Sequence, residues 1–365
     1  MAEKHESKPA AETIPVRGIG PAGTPLWYIS RNADVRAVLS CPFASSDPSR
    51  PGFPEPEDLG DRTPFLIELD APRHAELRRL VLPEFGMKSV HALQPHLQAS
   101  AEDLITTMCA IGPEADLAEA FAKPMASRAI CHLLAVPTAD GPLLTRIAET
   151  LADDSRGPKA QGSAFAEITD YMERLINARI ADPGNDPFGR LAANPLRDGR
   201  ISRAELVSLA IMLLMAGHDT NARMIVLGIG TLLGEPDAVA RIIADESVAY
   251  AAVDELVRLH SIAGDDSFRV AMADIPVGEI TVSAGEGIVP RIRHANHDPA
   301  VFEAPDRFNL NRNTNAHVGF GYGPHLCLGR PLARAVQATA YRTLFGIIPG
   351  LRRAGLESPL TISGW

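Results

Sequence analysis

The chain has 365 residues, a formal net charge of −10 and a sequence pI near 5.6, a balance that excludes a nucleic-acid binder, which carries a basic face. The polar start, MAEKHESKPAAETIPVRG, lacks the apolar core of a signal peptide, and the longest apolar run, LVSLAIMLLMAG, is too short and interrupted to span a bilayer. The sequence therefore predicts a cytoplasmic protein with no nucleic-acid or membrane partner, and the widely spaced Cys41, Cys109, Cys131 and Cys327 form no zinc pattern.

Apolar residues recur at helical spacing over much of the chain, so the expected fold is mainly α with a small β-rich portion. Residues 1–12 read as a loose N-terminal head and 13–365 as a single domain, because no linker, long charge run or repeat divides them. IPVRGI and PLWYIS read as strands, and NADVRAVLS as a short helix with Asn32 as its cap. The proline-rich residues 42–65 read as a long surface loop, and residues 152–165 as a second loop.

Helices are expected in APRHAELRRLVLPEF, SVHALQPHLQASAEDLITTMCA, DLAEAFAKPMASRAICHLL and AFAEITDYMERLINARIA. Cys109 and Cys131 fall in these apolar helices and read as buried thiols. The longest helical candidate begins at ISRAEL, where Ser202 and Glu205 form a capping-box pattern. It is apolar nearly all round, so it should be buried. SVAYAAVDELVRLHS is another helix; short strands with VGE and SAGE turns follow, and RPLARAVQATAYRTLFGII is the last helix.

Several residues in these elements are chemically notable. AGHDT, Ala216 to Thr220, puts a glycine, an acid and an alcohol inside an apolar helix. Thr220 bonding back to a carbonyl, with Asp219 in a local ion pair, explains it structurally. A local opening of the helix, with acid and alcohol relaying protons, explains it functionally. Glu255 and Arg258 lie at i and i+3 on one face, a pairing that is usually solvated. His74 and Arg78 lie at i and i+4, either as surface residues or as two cations presented to one anion. HVGFGYGPHLCLGRPLAR sets Cys327 among glycines just before a helix start, where a thiolate is favoured.

Taken in order, His74/Arg78, AGHDT, ELVR, PDRF and FGYGPHLCLG resemble the cytochrome P450 monooxygenases of the soluble bacterial type. The loop matches F-x-x-G-x-x-x-C-x-G at Phe320, Gly323, Cys327 and Gly329, and the resemblance covers roughly residues 13 to 350. It implies a cytochrome P450 fold, with non-covalent heme b between the long central helix and the cysteine-loop helix. Cys327 would be the thiolate ligand of the iron and the one metal-binding residue. Phe320 would shield the sulfur, Gly321 and Gly329 would let the loop lie under the porphyrin, and Ala216 and Gly217 would open room for dioxygen on the other face. Asp219 and Thr220 would be catalytic, relaying protons. His74, Arg78, Arg269 and His325 match positions that bind the heme propionates in relatives. Glu255, Arg258 and Arg307 would form a buried structural triad.

The implied reaction uses O2 and NAD(P)H-derived electrons, delivered by an external ferredoxin-type donor docking around Cys327, with Arg330 and Arg334 available to it. Hydroxylation or epoxidation of a small organic molecule from bacterial secondary metabolism is expected, by a monomer. The rivals are an oxidase closing a C–C or C–N bond without oxygen insertion, and a heme protein that binds a ligand without turnover. The chain departs from the pattern in reading as shortened at both ends, in ANHDP with His297, in Arg291 and Arg293, and in Val336. SIAGDDSFR offers Asp265 and Asp266 as substrate contacts for a polar or basic group, with Met212 and Met215 as further candidates over the heme.

Overall fold

The computed structural model describes residues 14–20, 23–57, 62–184, 186–264, 267–354 and 360–364. In chain order the helices are α1 (Asn32–Ser40), α2 (Arg73–Val81), α3 (Met87–Ile111), α4 (Lys123–Leu134), α5 (Gly141–Ala152), α6 (Gly157–Ala181), α7 (Pro187–Leu191), α8 (Arg203–Leu232), α9 (Pro236–Ala244), α10 (Glu246–His260), α11 (Ile292–Asn296) and α12 (Arg330–Ile347). The strands are β1 (Val16–Ile19), β2 (Pro25–Ile29), β3 (Ala44–Ser45), β4 (Glu114–Asp116), β5 (Arg269–Ala271), β6 (Ile275–Val277), β7 (Ile280–Val282), β8 (Gly287–Pro290), β9 (Arg352–Arg353) and β10 (Thr361–Ser363). The mainly helical architecture with small sheets is the expected one. Contacts group the chain into two units, and the division falls within α2 and α10.

The first unit holds residues 1–62, 67–75 and 254–327. Its sheet runs β1-β2-β8-β5-β3. β8 pairs with β2 in parallel and with β5 antiparallel, so all four of its residues are buried. The β6–β7 hairpin turns at Gly278, whose φ of +58° is one that glycine adopts without strain. Val35, Val38, Ile275, Val282, Ile288 and Val318 pack into one apolar cluster of this unit.

Polar side chains fix the loops around that cluster. Asn32 is the first residue of α1 rather than its cap, which is Arg31. Its buried amide instead donates to the carbonyls of Ala295 (3.1 Å) and Ala316 (3.0 Å), a long-range use that overrides the local capping preference. Asn296 is fully buried and receives the Val318 N–H at 2.7 Å. His297 of ANHDP places Nδ1 2.8 Å from its own turn's Arg293 carbonyl and Nε2 3.9 Å from Asp306.

Glu255 and Arg258 are not solvated: their side chains are 1% and 0% exposed. Arg258 donates to both Glu255 oxygens at 2.8 and 2.9 Å, and to the carbonyls of Asn296 and Pro305 at 2.8 Å each. The expected third member, Arg307, is exposed, and only its carbonyl joins, accepting from Arg258 at 3.4 Å. The second guanidinium on Glu255 is that of Arg312, at 3.0 Å.

The second unit holds residues 63–66, 76–253 and 328–365. α8 packs among α4, α5, α6 and α12, with the sheet β4-β10-β9 beside them. Its capping box is present: Ser202 Oγ accepts from the Glu205 N–H (3.1 Å), and Glu205 Oε2 from the Ser202 N–H (2.7 Å). Tyr341 of α12 is fully buried and donates to the Met224 carbonyl at 2.8 Å. Only glycine fits at 228, since a Cβ there would lie 2.1 Å from the Tyr341 oxygen.

Four local expectations are corrected here. α5 and α9 were not foreseen, although Leu144, Ile147 and Ala148 of α5 form a buried stripe at helical spacing. The expected loop at 152–165 is mostly the first turns of α6. Cys131 is buried, but Cys109 is only half-buried. The loop at 42–65 contains the two-residue strand β3, and its Phe53 is 7% exposed.

Exchanging the two arginines tests the buried web. Arg312→Ala removes a charge-assisted hydrogen bond from a buried carboxylate and should cost about 2 kcal/mol. Arg307→Ala leaves its carbonyl in place and should stay within about 0.5 kcal/mol of the parent. Urea unfolding of the two variants measures the difference.

Candidate active site

In the first unit, the glycine-rich loop closes on itself. The Cys327 N–H donates to the Phe320 carbonyl at 2.8 Å, and the Gly321 N–H to the Val318 carbonyl at 2.8 Å. Gly321 and Gly323 take φ of +74° and +70°. A Cβ at Gly323 would meet the Leu39 carbonyl at 2.6 Å, so glycine is what lets the loop lie against the end of α1. The Cys327 thiol is exposed, and Phe320 is half-buried with its ring edge-on to His317. Gly329 precedes α12 and accepts the Ala333 N–H.

Three of the four expected propionate ligands lie in this unit. Arg269, on β5, is 6% exposed, and burial pushes its guanidinium down to about 10, opposed by the charge of Asp70. Its Nη1 donates to the Phe268 and Ser267 carbonyls at 2.6 and 3.3 Å. His74, at the start of α2, is 3% exposed and stacks on His325 with ring centroids 4.0 Å apart. Arg269 and His325 line one cavity of about 260 Å³ with Ser46, Phe53, Glu57 and Glu68. Arg78 lies four residues beyond His74 on α2, half-buried, on the second unit's side of the division.

The remaining residues lie in the second unit. α8 runs unbroken through Ala216 to Thr220, so the expected opening of the helix is absent. Both side-chain expectations hold in their structural form. Thr220 Oγ1 donates to the Ala216 carbonyl at 2.5 Å, and Asp219 pairs with Arg223 at 3.6 Å. Asn221 also turns back, donating to the Gly217 carbonyl at 2.9 Å. Ala216 and Thr220 are exposed, and Met212, Met215 and Asp219 half-exposed, so they mark one uncovered stripe of α8. Gly217 is pressed on the other side, where a Cβ would meet Ile130 at 2.8 Å. His218 points inward, 3% exposed, and burial pushes its imidazole below the usual range. Asp265 and Asp266 lie outside the described residues.

Sequence reasoning missed Ser45, Ser46 and Asp70. Asp70 Oδ1 accepts the Ser46 N–H at 3.0 Å, and Oδ2 accepts from Ser45 Oγ at 2.5 Å. Ser46 Oγ lies 3.3 Å from His325 Nε2. The available signal was Asp70 four residues before His74; the serines carried none.

The family model "Cytochrome P450" matches residues 166–340. Pentalenic acid synthase from Streptomyces avermitilis is 41% identical over 338 residues, covering 91% of this chain and 83% of the relative. The chain belongs to the cytochrome P450 family. The crystal structure of GfsF superposes with a TM-score of 0.90 at 34% identity, covering 97% of this chain and 94% of that one. Mycinamicin VIII C21 methyl hydroxylase from Micromonospora griseorubida, solved with mycinamicin VIII bound, has a TM-score of 0.87 at 35% identity, covering 94% of this chain and 88% of that one. The chain is thus a heme-thiolate monooxygenase that uses heme b and O2, receives electrons from an external redox partner and acts on a small molecule. No described helix is long and apolar enough to cross a membrane.

The residues present fit a heme. An exposed thiol sits on a closed glycine loop, and a buried guanidinium in the same unit donates to backbone carbonyls and feels the charge of Asp70. Thiol chemistry should show the same distinction among the cysteines. Burial pushes the Cys131 thiol up to about 11 and raises that of Cys109. Iodoacetamide at mildly alkaline pH should therefore label Cys327 first in heme-free protein, and heme should protect it. Peptide mass spectrometry reads both.

Proposed function

We propose that Cys327 is the axial ligand of heme iron and that the enzyme hydroxylates an aliphatic carbon of a bacterial secondary metabolite. The observation that carries this is the exposed Cys327 thiol on its closed loop, in a chain of the P450 family. When bound, heme supplies dioxygen activation, and thiolate donation from Cys327 supports O–O cleavage. His74, Arg78, Arg269 and His325 would bind the propionates. Phe320, Gly321 and Gly329 would shape the loop, and Ala216 would keep α8 slender where dioxygen needs room, while Gly217 lets the opposite face pack on Ile130.

Thr220 and Asp219 divide the proton work. The Thr220 hydroxyl proton is committed to the Ala216 carbonyl, so on its exposed side the oxygen acts as an acceptor. It suits holding a water or a proton-bearing oxygen in place. Asp219 faces solvent beside Arg223 and can take up and pass on protons. Met212 and Met215 on the same stripe of α8 would touch the substrate as adaptable apolar contacts.

The names of the relatives support the substrate class: one makes pentalenic acid, and another hydroxylates a methyl group of mycinamicin VIII. The electron donor would be a ferredoxin docking around Cys327. Arg330 and Arg334 are half-buried there, Arg334 with its guanidinium 5.1 Å from the Tyr250 ring centroid. We read a cytoplasmic monomer.

The carbon monoxide difference spectrum of the reduced protein tests ligation. A strongly red-shifted Soret band is expected, and Cys327→Ser should abolish it; the ordinary hemoprotein position in the parent would sink the assignment. Product masses then decide the reaction, a gain of one oxygen being expected against the loss of two hydrogens for a coupling oxidase. Asp219→Asn should slow turnover about 100-fold with the band intact. Thr220→Ala should keep NAD(P)H oxidation while less of it yields product.

A further inference from the structure

We propose that Asp70 is a positioning residue that balances the charge of the propionate cradle, with Ser46 as its bridge to His325. This rests on the reading of Arg269 and His325 as propionate ligands. The Asp70 carboxylate is held from several sides. Ser45 Oγ donates to Oδ2 at 2.5 Å, the Ser46 N–H to Oδ1 at 3.0 Å, and Arg50 Nε lies 3.5 Å from Oδ2. The Asp70 carbonyl also accepts the N–H of His74, which fixes the start of α2 beneath that histidine. Ser46, so held, lines the cavity with Arg269 and His325, its Oγ 3.3 Å from His325 Nε2. One residue therefore organises two ligands, the backbone of His74 through its carbonyl and, through its carboxylate, the serine that contacts His325. It also faces the charge of a third.

The energetic reason lies in Arg269. A guanidinium 6% exposed is costly when its hydrogen bonds among the described residues go to two carbonyls. Asp70 is the carboxylate whose charge acts on it, while Asp70 itself stays anchored to the serines rather than collapsing into a tight pair. The cradle is thus held cationic yet partly compensated. Two propionates then meet a smaller positive field than the ligand set alone would create. A fixed negative charge this close to the cofactor disfavours adding an electron to it.

Asp70→Asn separates charge from geometry. The amide oxygen can still accept the Ser46 N–H, and the amide nitrogen can donate to Ser45 Oγ, so the hydrogen bonds survive while the charge is lost. The holoprotein should keep its red-shifted carbon monoxide band, and its ferric/ferrous midpoint potential should move positive. Asp70→Glu should stay at the parent potential. Ser46→Ala keeps the charge but breaks the bridge to His325; it should leave the potential unchanged and release heme to apomyoglobin several-fold faster. An unchanged potential in Asp70→Asn overturns the proposal, as does an equal shift in Ser46→Ala. Should Asp70→Asn fail to hold heme, Asp70→Glu decides: a holoprotein at the parent potential supports the charge role, and loss of heme there too overturns it. Absence of the thiolate band in the parent would instead strike the reading of the site itself.

Discussion

The position of the Cys327 thiol depends on a buried carboxylate far from it in sequence. Glu255 holds Arg258 and Arg312, and Arg258 in turn binds the carbonyls of Asn296, Pro305 and Arg307. Asn296 passes the constraint on, its side chain accepting the Val318 N–H and donating to Ser261. Val318 opens the turn that brings the Phe320 carbonyl onto the Cys327 N–H. The links at Glu255, Arg258 and Asn296 are buried hydrogen bonds, so they are not easily exchanged for solvent. A buried ion pair is weak support for stability as such, but breaking one leaves an unanswered charge. Here its use is to tie an irregular segment, which has little regular structure of its own, to a helix.

The α8 side follows a different logic. Thr220 and Asn221 both turn their side chains onto carbonyls four residues back, and Gly217 sits between Ile130 and the uncovered stripe. Glycine and back-bonding side chains weaken a helix locally. α8 tolerates them because its flanks are strongly held, by the capping box at Ser202 and by Tyr341 locked against Met224 and Gly228. The softness is confined to the turn where small residues leave α8 uncovered.

Local signals were legible and long-range ones were not. The capping box at Ser202 and Glu205, the Gly278 turn and the cysteine loop depend on residues a few positions apart, and the sequence pattern points to each. The pairing of Glu255 with Arg258 was legible as spacing, but its burial was not, since the same spacing usually lies on a wet surface. Arg312 lies 57 residues from its partner, and nothing local distinguishes it from Arg307. Asn32 reads as a cap because its type favours that role; its real partners, the Ala295 and Ala316 carbonyls, are more than 260 residues away. Helix α5 was missed for another reason: its buried stripe is short and flanked by glycine and aspartate, which read as loop. The AGHDT segment invited the expectation of an opened helix, yet the hydroxyl and amide bonds to Ala216 and Gly217 are compatible with an unbroken one.

Charge gives the same lesson at larger scale. A chain of net charge −10 draws Arg269 and His74 out of water within one unit, and packs His325 against that histidine. Stacked imidazoles and a buried guanidinium repel one another when charged, and the acidic surface is too screened by solvent to answer them. Such a cluster is stable only when an anion is near. Asp70 is one anion the chain places there, held by serines at a fixed place, and under the proposed propionate reading a dianionic cofactor would be another. A cluster that is neither neutral nor fully cationic costs less to bury than an unanswered set of charges and still attracts a dianion.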